Sequence, residues 1–183
     1  MKMLKKLLAV VLTGAMALTL LTACGGNAVS SIAVSDKDIA DALNDRAKAQ
    51  NEDATFTPRA EEQELARKIA TLVESTPENA DVDEEGCKNI LGCKEGGAND
   101  NNFVWYGTAV TDGFGVSEQV NRYMGDVLKT ECAVNKEKLT KQNKTPAKIR
   151  YMGTALCKVT EEGKPLTVRV FVVTAEPVDE PAG

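Results

Sequence analysis

Five cysteines are the residues of this sequence best suited to chemistry, and the absence of histidine restricts what they can do. A chain without imidazole has no His-ligated zinc site, no Ser-His-Asp triad and no Cys-His nucleophile pair. Acylation of a thiol and formation of disulfides are the reactions that remain for these side chains. The cysteines are Cys24, Cys87, Cys93, Cys132 and Cys157.

Cys24 follows a segment with the pattern of an export signal. A start with three lysines precedes an apolar run from residue 7 to residue 21, which is shorter than the roughly 20 residues of a membrane-spanning helix. We therefore predict a signal peptide over residues 1–23. It ends in Leu-Thr-Ala-Cys at residues 21–24, which resembles the bacterial lipobox, where the cysteine thiol accepts a diacylglyceryl group.

The lipobox predicts a lipoprotein on the outer, extracytoplasmic face of a bacterial cell membrane. Fatty acyl chains such as palmitate on Cys24 would bind the membrane, since each buried CH₂ contributes about 0.8 kcal/mol. Residues 24–34 would then form a short lipid-attached tether. The alternative is a secreted protein that is cleaved after Ala23 and carries a free N-terminal cysteine.

The other four cysteines predict disulfides, because their number is even and the chain is exported. Cys87 and Cys93 enclose a glycine-bearing loop, which favours a local bridge, and Cys132 with Cys157 would then join the end of a helix to a strand. Free thiols and a metal site are the alternatives. A spacing of five residues between Cys87 and Cys93 is wrong for a zinc knuckle. We expect no metal site and no other cofactor.

The charge balance argues against nucleic acid as a partner. Without the three lysines of the signal peptide, the mature chain has 19 basic and 27 acidic side chains and a net charge of −8. Nucleic-acid binding needs a basic surface that neutralises phosphates. Residues 136–150 hold six basic side chains that could meet an anionic wall polymer or lipid headgroups, although a solvated loop is the simpler interpretation.

The acidic residues 81–86 (Asp-Val-Asp-Glu-Glu-Gly) imitate the start of a calcium-binding loop. The twelfth position of that loop requires a bidentate glutamate and is occupied by Gly92. We therefore expect a solvated acidic loop, and weak calcium binding is the alternative.

Two amphipathic helices are predicted at the start of the mature chain. Ser35 and Asp38 have the spacing of a capping box, which predicts a helix over about 36–50. Thr57 as the N-cap and Pro58 at the first helical position predict the start of the second helix.

The remaining elements follow from composition and periodicity. We predict a long surface loop over 78–102, a strand over 103–110, a helix over 116–131, a loop over 135–148, and two final strands joined by a hairpin turn at 161–164. Helices and strands are mixed without regular βαβ alternation. Residues 35–176 are therefore expected to form one α+β domain, followed by an acidic tail over 177–183.

Four segments resemble the CAP superfamily, which groups the cysteine-rich secretory (SCP-like), antigen 5 and pathogenesis-related proteins. They are residues 42–46 (Ala-Leu-Asn-Asp-Arg), 64–70 (Glu-Leu-Ala-Arg-Lys-Ile-Ala), 151–155 (Tyr-Met-Gly-Thr-Ala) and 166–171 (Leu-Thr-Val-Arg-Val-Phe). The resemblance implies an α/β/α sandwich with a small antiparallel sheet covered by helices. The cleft of the family usually holds a divalent metal with two histidines and two acids, and that site cannot be transferred to a chain without histidine.

A cleft is expected beside the strand at 103–110 and the start of the helix at 116. Its candidate residues are Trp105, Tyr106, Ser117, Glu118 and Asn121, and we assign no catalytic residue. Together with the resemblance, this favours a non-catalytic CAP-like module that binds a cell-envelope component such as a wall polymer, a lipid or a protein. The alternative is a hydrolase of wall material or peptides that uses carboxylate or Ser/Lys chemistry.

Overall fold

A computed structural model of the chain describes residues 34–78 and 80–180. The predicted signal peptide, the lipidation residue Cys24, the tether up to residue 33 and the last three residues of the acidic tail lie outside this part. Within the described ranges, no helix is long and apolar enough to cross a membrane.

Helix α1 (Asp36–Ala49) confirms the first helix prediction. Its capping box is complete, because the Asp38 N–H donates to Ser35 Oγ (3.2 Å) and the Ser35 N–H donates to Asp38 Oδ2 (2.8 Å). The side chains that α1 buries are Ile39, Ala40, Leu43 and Ala47.

The predicted start of the second helix is wrong. Thr57 and Pro58 belong to strand β1 (Thr55–Pro58), which pairs in parallel with strand β4 (Ile149–Glu161). Proline is tolerated because β1 is an edge strand. Helix α2 (Ala60–Ser75) begins only after this strand.

The predicted surface loop over 78–102 is also wrong in part, because it contains helix α3 (Glu84–Leu91). Cys87 and Leu91, one helical turn apart, are buried in the core. Three apolar residues in eight give too short a periodic pattern to identify a helix from the sequence.

Helix α4 (Val116–Asp126) is shorter than the predicted helix over 116–131 and is followed by a 3₁₀ turn (Thr130–Cys132). Three residues after the helix, the Lys129 carbonyl accepts a hydrogen bond from the indole N–H of Trp105 (2.8 Å). This bond fixes the end of α4 to the sheet.

Two segments that looked irregular pair with each other. The predicted loop over 135–148 contains helix α5 (Lys136–Thr140) and strand β3 (Lys144–Pro146), and the start of the predicted tail is strand β6 (Pro177–Asp179). Strands β3 and β6 form a separate antiparallel pair. Strands of three residues show no alternation that a sequence could reveal.

The central sheet contains β1, β2 (Phe103–Val110), β4 and β5 (Lys164–Ala175) in the order β1-β4-β5-β2. The predicted hairpin joins β4 to β5 through Glu162 and Gly163. Both residues have positive φ (50° and 74°), as a two-residue type I′ turn requires. The sheet is mixed rather than antiparallel throughout, because β1 runs parallel to β4.

Helices cover both faces of this sheet, so the protein has the predicted α+β class. On one face α1 and α4 pack against large side chains of the strands, including Trp105, Met152, Phe171 and Val173. On the other face α2 and α3 pack against Val104, Val168, Val170 and Val172.

Candidate functional site

Helix α1 crosses the sheet with its first turn toward the β4–β5 hairpin. Asp36 in that turn accepts a hydrogen bond from Thr154 of β4 (2.5 Å). Two turns later, the Asn44 side chain accepts a hydrogen bond from the Phe56 N–H (2.7 Å) and donates one to the Phe56 carbonyl (3.0 Å). Phe56 lies beside Arg150, at the other end of β4. The helix therefore runs away from the hairpin.

Helix α4 runs in the same direction. Gln119 in its first turn bonds Arg169 in the middle of β5, and Tyr123 stacks on Phe171, two residues further along β5, with ring centroids 4.2 Å apart. Because β5 leads away from the hairpin, α4 does so as well. The N-terminal ends of α1 and α4 thus lie at the same end of the sheet.

Arg169 lies between these two helix ends and is 3% exposed. Its Nε donates to Gln119 Oε1 (3.1 Å) and its Nη1 donates to Thr154 Oγ1 (2.9 Å). Thr154 in turn donates to Asp36. Nη2 is buried and has no hydrogen-bond partner among the described residues. We call these four residues the Arg169 cluster.

The two charged groups of the Arg169 cluster, Asp36 and Arg169, are connected only through the Thr154 hydroxyl. Desolvation lowers the pKa of Arg169 and the neighbouring Asp36 acts in the opposite direction, although a guanidinium stays protonated in proteins. The second oxygen of Asp36 accepts from Gln63 of α2 (3.0 Å). The carboxylate is therefore shared between a hydroxyl and an amide, and no direct bond joins it to the guanidinium.

The sheet is not fully covered beside the Arg169 cluster. Leu156 is the direct cross-strand neighbour of Arg169 and is 39% exposed. By the two-residue period of a strand, it lies on the same face as Met152 and Thr154. The exposed apolar surface of Leu156 therefore lies next to the buried guanidinium.

A second acid, the buried Glu62, fixes the start of α2. Arg59 donates to both of its carboxylate oxygens, one of these bonds measuring 2.7 Å, and Thr174 of β5 donates to it at 2.6 Å. The bond to Glu62 is the main cause of the raised pKa of Arg59, whose guanidinium also lies 4.0 Å from the centre of the Tyr151 ring. Glu62 is fully buried, so this group holds the fold together.

The half-buried Asp36 and the buried Glu62 bond to residues on opposite faces of the sheet. Asp36 bonds Thr154, which lies on the α1 and α4 face, whereas Glu62 bonds Thr174, which lies on the α2 and α3 face. Paired acid and base catalysis requires carboxyl groups that converge on one substrate. These two do not converge.

The structure separates the residues that the sequence suggested for a cleft. Trp105 is fully buried under α4, and Tyr106 is half-buried on the opposite face, where desolvation raises its pKa. Ser117 and Asn121 are exposed. Glu118 is exposed and accepts from the backbone N–H that precedes α4 (2.8 Å). The residues that do converge are those of the Arg169 cluster, which the sequence analysis missed.

One signal in the sequence pointed to Arg169. It follows Val168 and precedes Val170 in a strand whose other side chains are mostly apolar. In a sheet covered on both faces, such a position is buried whichever way it points. A charged residue there indicates a buried charge.

Cys87 and Cys93 lie around the end of α3, which has the hydrogen bonds of a Schellman motif. The Cys93 N–H donates to the Lys88 carbonyl (3.0 Å), and the N–H of Gly92, at φ +68°, donates to the Asn89 carbonyl (3.1 Å). This motif typically brings the residue after the glycine against the last turn of the helix. It therefore favours proximity of the two cysteines, which are thiols in this structure.

The four cysteines of the domain divide between the two faces of the sheet. Cys157 lies in the same core cluster as Cys87 and Cys93, whereas Cys132 packs against the other cluster. A bridge between Cys132 and Cys157 would have to cross the sheet. Burial raises the pKa of Cys87 and Cys157 to about 11 and that of Cys93 to about 12, so these thiols are poor metal ligands and nucleophiles.

Neither charged segment forms a distinct site. In the described residues, no group of three or more His, Cys, Asp and Glu side chains is placed to hold a metal, and α3 begins inside the acidic segment 81–86. Within 136–150, Lys138 pairs with Asp100 and Lys144 with Asp179, each at 2.6 Å.

Comparisons with known proteins identify no relative of this chain. The chain matches no protein-family model, and searches of curated proteins and of solved structures found no significant match.

Proposed function

We propose that this chain is a lipoprotein anchored through Cys24 to the outer face of a bacterial membrane, and that its α+β domain is a non-catalytic, CAP-like binding module. The anchor is supported by the lipobox at residues 21–24 and by the signal-peptide pattern before it. The proposed ligand is a component of the cell envelope.

The observation that carries the binding role is that both acids, the buried Glu62 and the half-buried Asp36, have structural partners. Glu62 is held by Arg59 and Thr174, and Asp36 by Thr154 and Gln63, so each carboxylate has structural partners. They lie on opposite faces of the sheet, and the hydroxyl groups beside them are also buried. This arrangement favours a stable binding scaffold over an acid-base pair.

The CAP-like assignment is supported by what two motif residues do. Asn44, from the first motif, bonds the backbone of β1 and so fixes α1 beside the edge strand. Gly153, from the hairpin motif, allows the start of α2 to approach β4, because an added Cβ would lie 2.0 Å from the Gln63 nitrogen. Both residues serve the packing of helices on the sheet.

The position of the tether connects the anchor to the Arg169 cluster. Cys24 and Ser35 are 11 positions apart, so an extended tether reaches at most about 40 Å. It joins α1 at the end of the domain where the Arg169 cluster lies. A ligand at or near the membrane surface would be within reach of this end.

The experiment is a comparison of binding and hydrolysis. The purified mature chain, in detergent, is incubated with isolated cell walls and with a mixture of peptides. We expect the protein to sediment with a wall or membrane fraction and to release no soluble products. Product release that is lost in Asp36→Asn or in Glu62→Gln, each checked for folding, would contradict the non-catalytic role and favour a hydrolase.

A further inference from the structure

The guanidinium of Arg169 is buried without a direct acidic partner. Fully buried arginines are rare and are almost always paired with an acid, because an uncompensated charge in the protein interior is unfavourable. Here both hydrogen bonds go to neutral side chains, Gln119 and Thr154, and Nη2 has no partner in the part of the chain that is described. A donor left in this state in a native structure requires an explanation.

Two helix starts lie beside the guanidinium. The N-terminal end of an α-helix carries a partial positive charge and unpaired backbone N–H groups, which attract anions. The acids of both first turns are already engaged: Asp38 by Ser35, Glu118 by the backbone before α4, and Asp36 by a hydroxyl and an amide. None of them bonds Nη2 of Arg169.

We propose that the Arg169 cluster is a binding site for an oxyanion, a carboxylate or phosphate group that accepts a hydrogen bond from Nη2 between the starts of α1 and α4. This inference specifies the chemical class of the ligand that the binding module takes, and it rests on the proposed function. Because Nε and Nη1 are already bonded to Gln119 and Thr154, the ligand contributes one oxygen rather than a bidentate pair. It approaches beside the exposed side chain of Leu156.

The oxyanion can be a free anion or the phosphate of a lipid headgroup, and the test separates the two. Thermal unfolding of the mature chain in detergent is followed with sodium phosphate, sodium acetate or sodium chloride at equal ionic strength. Flotation with vesicles of phosphatidylglycerol or phosphatidylcholine is measured for a chain with Cys24→Ser, which removes the proposed anchor. A rise in unfolding temperature with phosphate or acetate indicates a free anion, and a preference for phosphatidylglycerol alone indicates the headgroup.

Three variants test whether Arg169 is responsible. We call the anion-dependent rise in unfolding temperature, or the preference for phosphatidylglycerol vesicles, the response. Arg169→Lys keeps the charge and removes the guanidinium, and we expect its response to be at least tenfold weaker than that of the parent. Leu156→Trp leaves Arg169 in place and narrows the approach, so it also weakens the response and serves if Arg169→Lys does not fold. Arg122→Gln removes a positive charge from the same helix, where Arg122 lies over the Phe114 ring, and should leave the response within twofold of the parent.

The proposal is overturned if the parent responds to none of these probes, or if Arg169→Lys and Leu156→Trp respond like the parent. An equal loss in Arg122→Gln would also overturn it, since general charge would then explain the effect. In each case, membrane association of the parent through Cys24 and its sedimentation with envelope material stay measurable. Failure of the anion site is therefore distinguishable from failure of the proposed function.

Discussion

Replacing Gly153 with alanine should strongly destabilise the domain. An added Cβ would lie 2.0 Å from the Gln63 nitrogen and 2.4 Å from both the Gln63 Cα and the Glu62 carbonyl carbon. All three atoms belong to the backbone, so no side-chain rotation can relieve the contact. The start of α2 would have to move by more than about 1 Å to reach ordinary van der Waals separation.

The magnitude follows from two effects. Overpacking of this kind costs about 1–3 kcal/mol. Displacing α2 also weakens the buried bond between Thr174 and Glu62, and a hydrogen bond to a charged group contributes about 1.5–3 kcal/mol. We therefore expect Gly153→Ala to lower the free energy of unfolding by about 3–5 kcal/mol, or the unfolding temperature by roughly 10 °C for a domain of this size.

Urea and thermal unfolding of parent and variant measure this effect. Gly125→Ala is the matched control, because an added Cβ in α4 meets nothing within 4 Å. It should stabilise the helix by about 0.5–1 kcal/mol. A Gly153→Ala variant within about 1 kcal/mol of the parent would refute the close approach of α2 and β4.

Four further predictions follow from the structure. Glu62→Gln should cost about 2–3 kcal/mol in urea unfolding, since it removes the buried partner of Arg59 and leaves the guanidinium only the exposed Glu61. Glu61→Gln, on an exposed side chain, should change stability by less than about 0.5 kcal/mol; equal effects would contradict the buried ion pair. Ser35→Ala should cost about 1 kcal/mol at neutral pH. The Ser35 hydroxyl donates to Asp38 and lowers the pKa of Asp38 in the folded state. The part of the parent's advantage that comes from this bond is therefore present above the unfolded value of about 4 and is lost as pH falls through the lower folded pKa; an advantage unchanged at low pH would exclude this linkage. In the reduced protein, the pKa of Cys87 is raised to about 11. At pH 8 this thiol should react with iodoacetamide at least about 100-fold more slowly in the folded than in the unfolded protein. Similar rates in the two states, measured by mass spectrometry, would show that the thiol is accessible. Micromolar zinc or a chelator should leave the unfolding temperature unchanged, and stoichiometric zinc lost together with stability would contradict this.

The elements that the sequence predicted correctly are those with a long periodic pattern. Helices α1 and α4 and strands β2, β4 and β5 each repeat their apolar positions over at least eight residues. Their order and the predicted hairpin were enough for the α+β class. The patterns continue for so long because these elements form the central layer of the fold and the helices on one face of it.

The missed elements are short and owe their structure to contacts with distant segments. Strand β1 is an extended segment because it pairs with β4 about 95 residues later. Its residues Thr57 and Pro58 have the local pattern of a helix start, which this pairing overrides. Strand β3 is defined only by β6, and α3 only by the two side chains that it buries. Local propensity cannot report such contacts.

The candidate site was missed for the same reason. Its members Asp36, Gln119, Thr154 and Arg169 come from four elements, and no spacing along the chain connects them. The sequence candidates are aromatic or polar neighbours along the chain, and Trp105 and Tyr106 lie on opposite faces of β2, as adjacent residues of a strand must. Arg169, a charge within an apolar strand, was the only visible indication.

The most direct test of the proposed membrane anchor is phase partitioning of the exported protein with and without Cys24. The parent is expected in the detergent phase, with an N-terminal peptide whose mass includes the diacylglyceryl group, and Cys24→Ser is expected in the aqueous phase or as the unprocessed precursor. If the Cys24→Ser protein is processed and partitions into detergent like the parent, the chain is not anchored through this cysteine, and the proposed function is contradicted.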